Sequence, residues 1–278
     1  TVLSYFLAFT PFSTKISLDF IGVTLRLFQS LGIITKSITN INNSHVHIEK
    51  FYQLETNKST INYSNFEIHS ENNIKVENLS FKYVNSDEFI FENINLKFKK
   101  NKHTIITGPN GSGKSTVLGL ISGIYFSNEG KVFSFSNKFG YIGATPLIFD
   151  GTLYENLTYG NSGKINKVEV INYLKLLDTF KEESGYELER RVNNKELSSG
   201  QMQKISFVRA LISDVDILLL DESTSNLDQE SKNKIFDLLS SRDITIINST
   251  HIPESFINVD HRYNIDIIDE KRVFNLLY

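Results

Sequence analysis

The chain has 278 residues, 40% of them hydrophobic, enough for one large domain or one domain with an appendage. Its formal net charge of -3, from 29 basic and 32 acidic residues, gives no case for nucleic acid as a partner. With no cysteine, disulfides, thiolate metal sites and cysteine nucleophiles are excluded.

Residues 1 to 35 are unlike the rest. Thr1–Phe12 carries no charge, and Lys15, Asp19 and Arg26 then interrupt an apolar run reaching Ile34. No uninterrupted run of about 18 apolar residues exists, so a lone membrane-spanning helix is a weak reading. The same charges suit a helix facing a water-filled cavity inside a bundle, or an amphipathic helix packed on a soluble domain. Both alternatives stay open. Residues 37–54 continue this helix in a more polar vein, and residues 57–73, rich in Asn, Ser and Thr, read as a linker. His45 and His47 cannot share one helix face, so they and His69 read as solvated side chains rather than metal ligands. The chain starts at Thr1, with no signal peptide, and is expected to be a piece of something longer.

A compact domain is expected from Ile74 to Tyr278. Ile74–Tyr83 and Ile94–Phe98 alternate as strands, His103–Thr107 is a short buried strand, and Lys131–Phe135 and Phe139–Ile142 are two more. Val168–Leu177 reads as an amphipathic helix burying Val168, Ile171, Leu174 and Leu177, and Gln201–Ile212 as another helix. Ile217–Leu220 is aliphatic throughout, as in a strand covered on both faces of a parallel sheet, and it ends in Asp221 and Glu222. Ile244–Ile247 is a second such strand, ending near His251. Arg262–Leu277 reads as a closing hairpin.

Between the strand at Thr107 and a helix beginning at Lys114 lies Gly108-Pro109-Asn110-Gly111-Ser112-Gly113-Lys114-Ser115-Thr116. This fits the phosphate-loop pattern G-x-x-x-x-G-K-[S/T]. Glycines let backbone N–H groups turn toward an anion, and the helix start adds its positive dipole end. A lysine ammonium reaches the outer phosphates, and the Ser115 hydroxyl holds Mg²⁺. The expected ligand is ATP with Mg²⁺. An apolar strand ending in Asp221 and Glu222 supplies carboxylates where open α/β sheets bind ligands.

Ahead of Asp221 lies Leu197-Ser198-Ser199-Gly200-Gln201, which resembles the LSGGQ signature of ATP-binding cassette (ABC) proteins. Ser225–Asp228 resembles that family's D-loop, His251 its switch histidine, and Tyr83 the aromatic that stacks on adenine. The likeness covers residues 74–278. It implies an α/β P-loop NTPase of ABC type: a mixed, largely parallel core sheet, an antiparallel β subdomain and a helical signature subdomain. Residues 1–56 resemble the last transmembrane helix and cytosolic extension of an exporter-type half-transporter, through Pro11 and His47–Phe51. The whole resembles exporters of small antibacterial peptides from enteric bacteria, lasso-peptide microcins among them.

The resemblance implies two copies sandwiching two ATP molecules, each between one copy's phosphate loop and the other's Ser198, Ser199, Gly200 and Gln201. Ser115 and Asp221 would hold the metal, Glu222 would act as general base, and His251 would contact the γ-phosphate. Lys114 would neutralise phosphate charge. Implied partners are a second copy, the remaining transmembrane domain, a peptide substrate and the bacterial inner membrane, with the nucleotide domain in the cytoplasm. Three departures stand out. Aligned on Gly140, Tyr141 and Pro146, the family's metal-contacting glutamine becomes Ala144, with Thr145 or Asp150 as substitutes. Arg190 and Arg191 replace a Val-Gly pair, and Ser199 replaces a signature glycine. A soluble ABC ATPase outside transport, or a regulatory nucleotide-binding module, is the alternative function.

Overall fold

A computed structural model describes residues 22–37, 65–84, 86–161, 165–180, 185–256 and 258–278. His45, His47, Pro11 and most of the stretch expected to be helix and linker before residue 65 lie outside the described residues. The chain divides into two units, Thr1–Asn62 and Tyr63–Tyr278. In the first, residues 22–37 form helix α1. Val23, Leu25, Leu27, Phe28, Leu31, Ile33 and Ile34 are exposed on it. Among the described residues no helix is long and apolar enough to cross a membrane.

The second unit runs β1 (Phe66–Ile68), β2 (Asn73–Phe81), β3 (Phe91–Lys99), β4 (His103–Thr107) and α2 (Lys114–Ile121). It continues with β5 (Glu129–Ser134), β6 (Phe139–Ile142), β7 (Gly151–Thr152), α3 (Leu153–Thr158), α4 (Lys167–Leu176) and β8 (Arg191–Val192). Then come α5 (Ser199–Ile212), β9 (Ile217–Asp221), α6 (Gln229–Ser240), β10 (Thr245–Ser249), β11 (His261–Ile268) and β12 (Lys271–Leu276).

The main sheet has the order β12-β11-β4-β10-β9-β6, parallel from β11 to β6, with β12 antiparallel at one edge. A second sheet, β1-β5-β2-β3, is mostly antiparallel. Strand β9 shows why its sequence is aliphatic throughout. Leu218 and Leu220 join a core with α3, α4, α5 and α6, while Ile217 and Leu219 join one with α2 and the second sheet. Successive side chains leave opposite faces, so a strand covered on both sides has no polar face. In β10, Ile246 and Ile247 divide in the same way.

Three expectations need correction. The stretch read as linker contains β1, paired in parallel with β5 through Phe66↔Val132 and Ile68↔Ser134. Three residues amid Asn and Ser carry too little alternation to mark an edge strand. In α4 the buried residues are Val170 and Leu174, with Leu177 just beyond, while Val168 is 62% exposed. Asn166 caps this helix by accepting from the Val168 N–H, which fixes where it starts, and packing in the core with Ile205 and Val208 of α5 turns Val170 inward. His69, read as solvated, is instead half-buried. Its Nδ1 accepts from the Glu71 N–H, and its ring meets Phe133 edge-on.

One histidine is structural and responds to acid. His103 opens β4, stacks on Phe236 at 5.1 Å and meets Phe256 edge-on. Burial pulls its pKa down to about 4, against smaller upward pulls from the Asp260 carboxylate and a backbone hydrogen bond to Asn258. The folded value lies below the unfolded one. Stability from the neutral ring is therefore complete above pH 6.5 and is lost as pH falls toward 4. His103→Phe is expected to remove roughly 2 to 3 kcal/mol from the stability lost between pH 7 and 4.5. Urea unfolding of both proteins at the two pH values measures this. An equal loss in both would show that other groups govern the acid limb.

Candidate functional site

Because β4, β6, β9 and β10 run parallel, their C-terminal ends gather at one edge of the main sheet. From these ends come the phosphate loop, Gly143 and Ala144, Asp221 and Glu222, and Thr250 and His251. The loop closes tightly. Gly113 caps α2 with φ 97°, and a Cβ there would lie 2.5 Å from the Phe91 ring. Only glycine meets both demands. The Lys114 side chain is 5% exposed, and its ammonium donates to the Gly108 and Pro109 carbonyls at 3.0 and 3.1 Å. It lies 3.7 Å from Glu222 Oε1. A cation held inside a ring of loop backbone is suited to a polyphosphate.

Asp221 is the centre of a hydroxyl cluster. Ser115 Oγ donates to its Oδ1 at 2.9 Å, Ser249 Oγ to the same oxygen at 2.6 Å, and the Tyr141 hydroxyl to Oδ2 at 2.9 Å. Burial, and then the Asp221 carboxylate, push the Tyr141 phenol above its ordinary range, so it stays a donor. Glu222 follows in the left-handed region, φ 50°, with its N–H bonded to the Ser249 carbonyl at 3.1 Å. A non-glycine residue held there costs about 1 kcal/mol or more, and such strain clusters at functional sites. The turn leaves a partly exposed carboxylate beside the Lys114 ammonium.

The other expected residues are placed as follows. Tyr83 is 40% exposed, its hydroxyl 2.7 Å from Thr116 Oγ1 and its ring edge-on to Phe81 and Tyr125. His251 is exposed on the loop after β10, with no hydrogen bond to the described residues. Ser198 caps α5 in a reciprocal box: its Oγ accepts from the Gln201 N–H at 3.2 Å, and Gln201 Oε1 accepts from the Ser198 N–H at 3.0 Å. Ser198 and Ser199 are exposed, and a Cβ on Gly200 would sit 3.1 Å from the Asn226 carbonyl. Ala144 and Thr145 are exposed. Asp150 is taken by Arg191 at 3.0 Å, beside the β7–β8 pair, so it serves that ion pair rather than the cluster at Asp221.

Residues 91–225 match the ABC transporter family. The second unit is an ABC transporter nucleotide-binding domain. At 34% identity over 60% of the chain, it is similar to the ABC transporter B family member 13 of Arabidopsis thaliana. Over 80% of the chain it is 28% identical to the uncharacterized ABC transporter ATP-binding protein y4gM of Sinorhizobium fredii. Over 94% it is 28% identical to the lactococcin-A transport/processing ATP-binding protein LcnC of Lactococcus lactis. The chain spans 15%, 41% and 39% of those proteins' lengths.

The donor set of this nucleotide-binding domain suits magnesium. Ser115 and Asp221 offer hard oxygen ligands, and among the described residues no group of three His, Cys, Asp or Glu forms a protein cage. Magnesium in nucleotide sites takes one or two protein oxygens and completes its shell with water and phosphate. Tyr141 and Ser249 were not singled out by sequence reasoning as parts of this site. A signal for Ser249 existed. Laying the two aliphatic strands in parallel pairs Ile217 with Thr245 and so Asp221 with Ser249.

Proposed function

We propose that the chain binds MgATP and hydrolyses it to power export of a small antibacterial peptide across the bacterial inner membrane. The observation that carries the reading is the convergence of Lys114, Ser115, Asp221 and Glu222 at one sheet edge. Bound magnesium would supply charge neutralisation at the outer phosphates. Lys114 neutralises phosphate charge, and Ser115 and Asp221 would hold the metal. Glu222 takes the proton of the attacking water, and His251 steadies the γ-phosphate. Tyr83 stacks on adenine by its exposed ring. Ser198, Ser199, Gly200 and Gln201 complete the site of a second copy.

Export is supported by likeness to a protein named for lactococcin-A transport and processing. Residues 1–56 then form the end of a transmembrane domain, and the substrate class is a peptide such as a lasso-peptide microcin. The nucleotide-binding domain lies in the cytoplasm, where ATP is available. A phosphate-release assay on the full chain tests the enzymatic part. Lys114→Ala is expected to lower the rate at least about a hundredfold, because the outer phosphates lose their buried cation. Equal rates for the two proteins would favour a regulatory nucleotide-binding module.

A further inference from the structure

Asp221 is oriented from two directions. Ser115 and Ser249 donate to Oδ1 from the phosphate-loop helix and β10, and Tyr141 alone among the described residues donates to Oδ2. Tyr141 belongs to β6, the strand beside β9, and pairs with Leu219. Its phenol therefore reaches two residues along the neighbouring strand, past the end of the aliphatic run. Three residues later stands Ala144, whose methyl has nothing to donate or accept. From Tyr141 to Ala144 the hydroxyl is the one polar side-chain group offered to the site.

Resting on the MgATP reading, we infer that Tyr141 is a positioning residue for the metal–nucleotide site. Its hydroxyl locks the rotation of the Asp221 carboxylate, so that Oδ1 stays turned toward Ser115. Position 144 contributes no such polar group, and Tyr141 anchors this side of the site from within the sheet instead. A carboxylate held by hydroxyls on both oxygens is pre-set for a metal and does not need to reorient as one binds. With the Oδ2 bond removed, only the two serine hydroxyls on Oδ1 resist rotation about the Cβ–Cγ bond.

Tyr141→Phe keeps the ring and deletes only the hydroxyl. The full chain is loaded with a non-hydrolysable ATP analogue, and Mn²⁺ affinity is read by electron paramagnetic resonance. The variant is expected to bind Mn²⁺ about tenfold more weakly, the usual scale for loss of an outer-sphere partner. Analogue affinity in EDTA and thermal unfolding are expected to stay at the wild-type level, which separates positioning from general damage. Adding Ala144→Gln to Tyr141→Phe is expected to recover much of the affinity, since an amide oxygen is a suitable hard ligand. Unchanged Mn²⁺ affinity in Tyr141→Phe, or an equal loss in EDTA, would overturn the inference while leaving the MgATP reading standing. A wild-type chain whose analogue binding shows no dependence on metal would overturn both.

Discussion

Glu222→Gln is expected to bind ATP like the wild-type chain but to release phosphate about a hundredfold to ten-thousandfold more slowly, the scale of a lost general base. The substitution is chosen for what it preserves. Glutamine has nearly the same shape, and the strained φ of 50° is stabilised through the backbone, where the N–H of residue 222 meets the Ser249 carbonyl. The loop geometry should therefore survive. What disappears is an oxygen able to accept a proton from water. The ion pair with Lys114, 3.7 Å away, also goes, which leaves the ammonium freer for phosphate. ATP affinity should then stay level or rise, and ATP-bound dimers should accumulate on gel filtration. A variant that hydrolyses ATP at the wild-type rate would show that Glu222 is not the base.

Some of this molecule could be read from its residues because the physics there is local. A phosphate loop needs small residues and one lysine at fixed spacings, so Gly108 to Thr116 identified itself. A strand covered on both faces must be apolar at every position, and Ile217–Leu220 is. A serine just before Gln201 reads as a helix cap, with Ser198 and Ser199 both eligible, and the structure places the cap at Ser198. Contacts between strands were harder. The hydroxyls of Tyr141 and Ser249 reach Asp221 only because three strands lie parallel in one register; aligning the two aliphatic strands points to Ser249, but no spacing along the chain encodes the placement of Tyr141. Strand β1 is legible only with its partner β5 in view. In α4 both Val168 and Val170 are apolar, and packing against the rest of the core, not the pattern along the chain, decides that Val170 is the buried one.

The phosphate loop is expected to be completed by the α5 N-terminus of a second copy of the chain. Helix α5 presents its N-terminus to solvent: Ser198 and Ser199 are exposed while Leu197 is buried. The Ser198 hydroxyl satisfies the Gln201 N–H. The N–H groups of Ser199 and Gly200 have no hydrogen-bond partner among the described residues, as suits an anion arriving from outside. Gly200 already sits against the Asn226 carbonyl, so a larger residue there both crowds and blocks that approach. Lys114→Ala and Gly200→Asp should each be nearly inactive alone. If the site is composite across a two-fold dimer, a mixed dimer keeps one intact pairing: the phosphate loop of the Gly200→Asp chain against the signature of the Lys114→Ala chain. Random mixing of equal amounts should then restore about one quarter of wild-type phosphate release, one site in each of the mixed half of the dimers. A site built within one chain predicts no recovery at all, because every chain in the mixture carries a lesion. Silence from a mixture in which mixed dimers are demonstrated by differential tagging would therefore sink the shared site, whatever the Glu222 variant does.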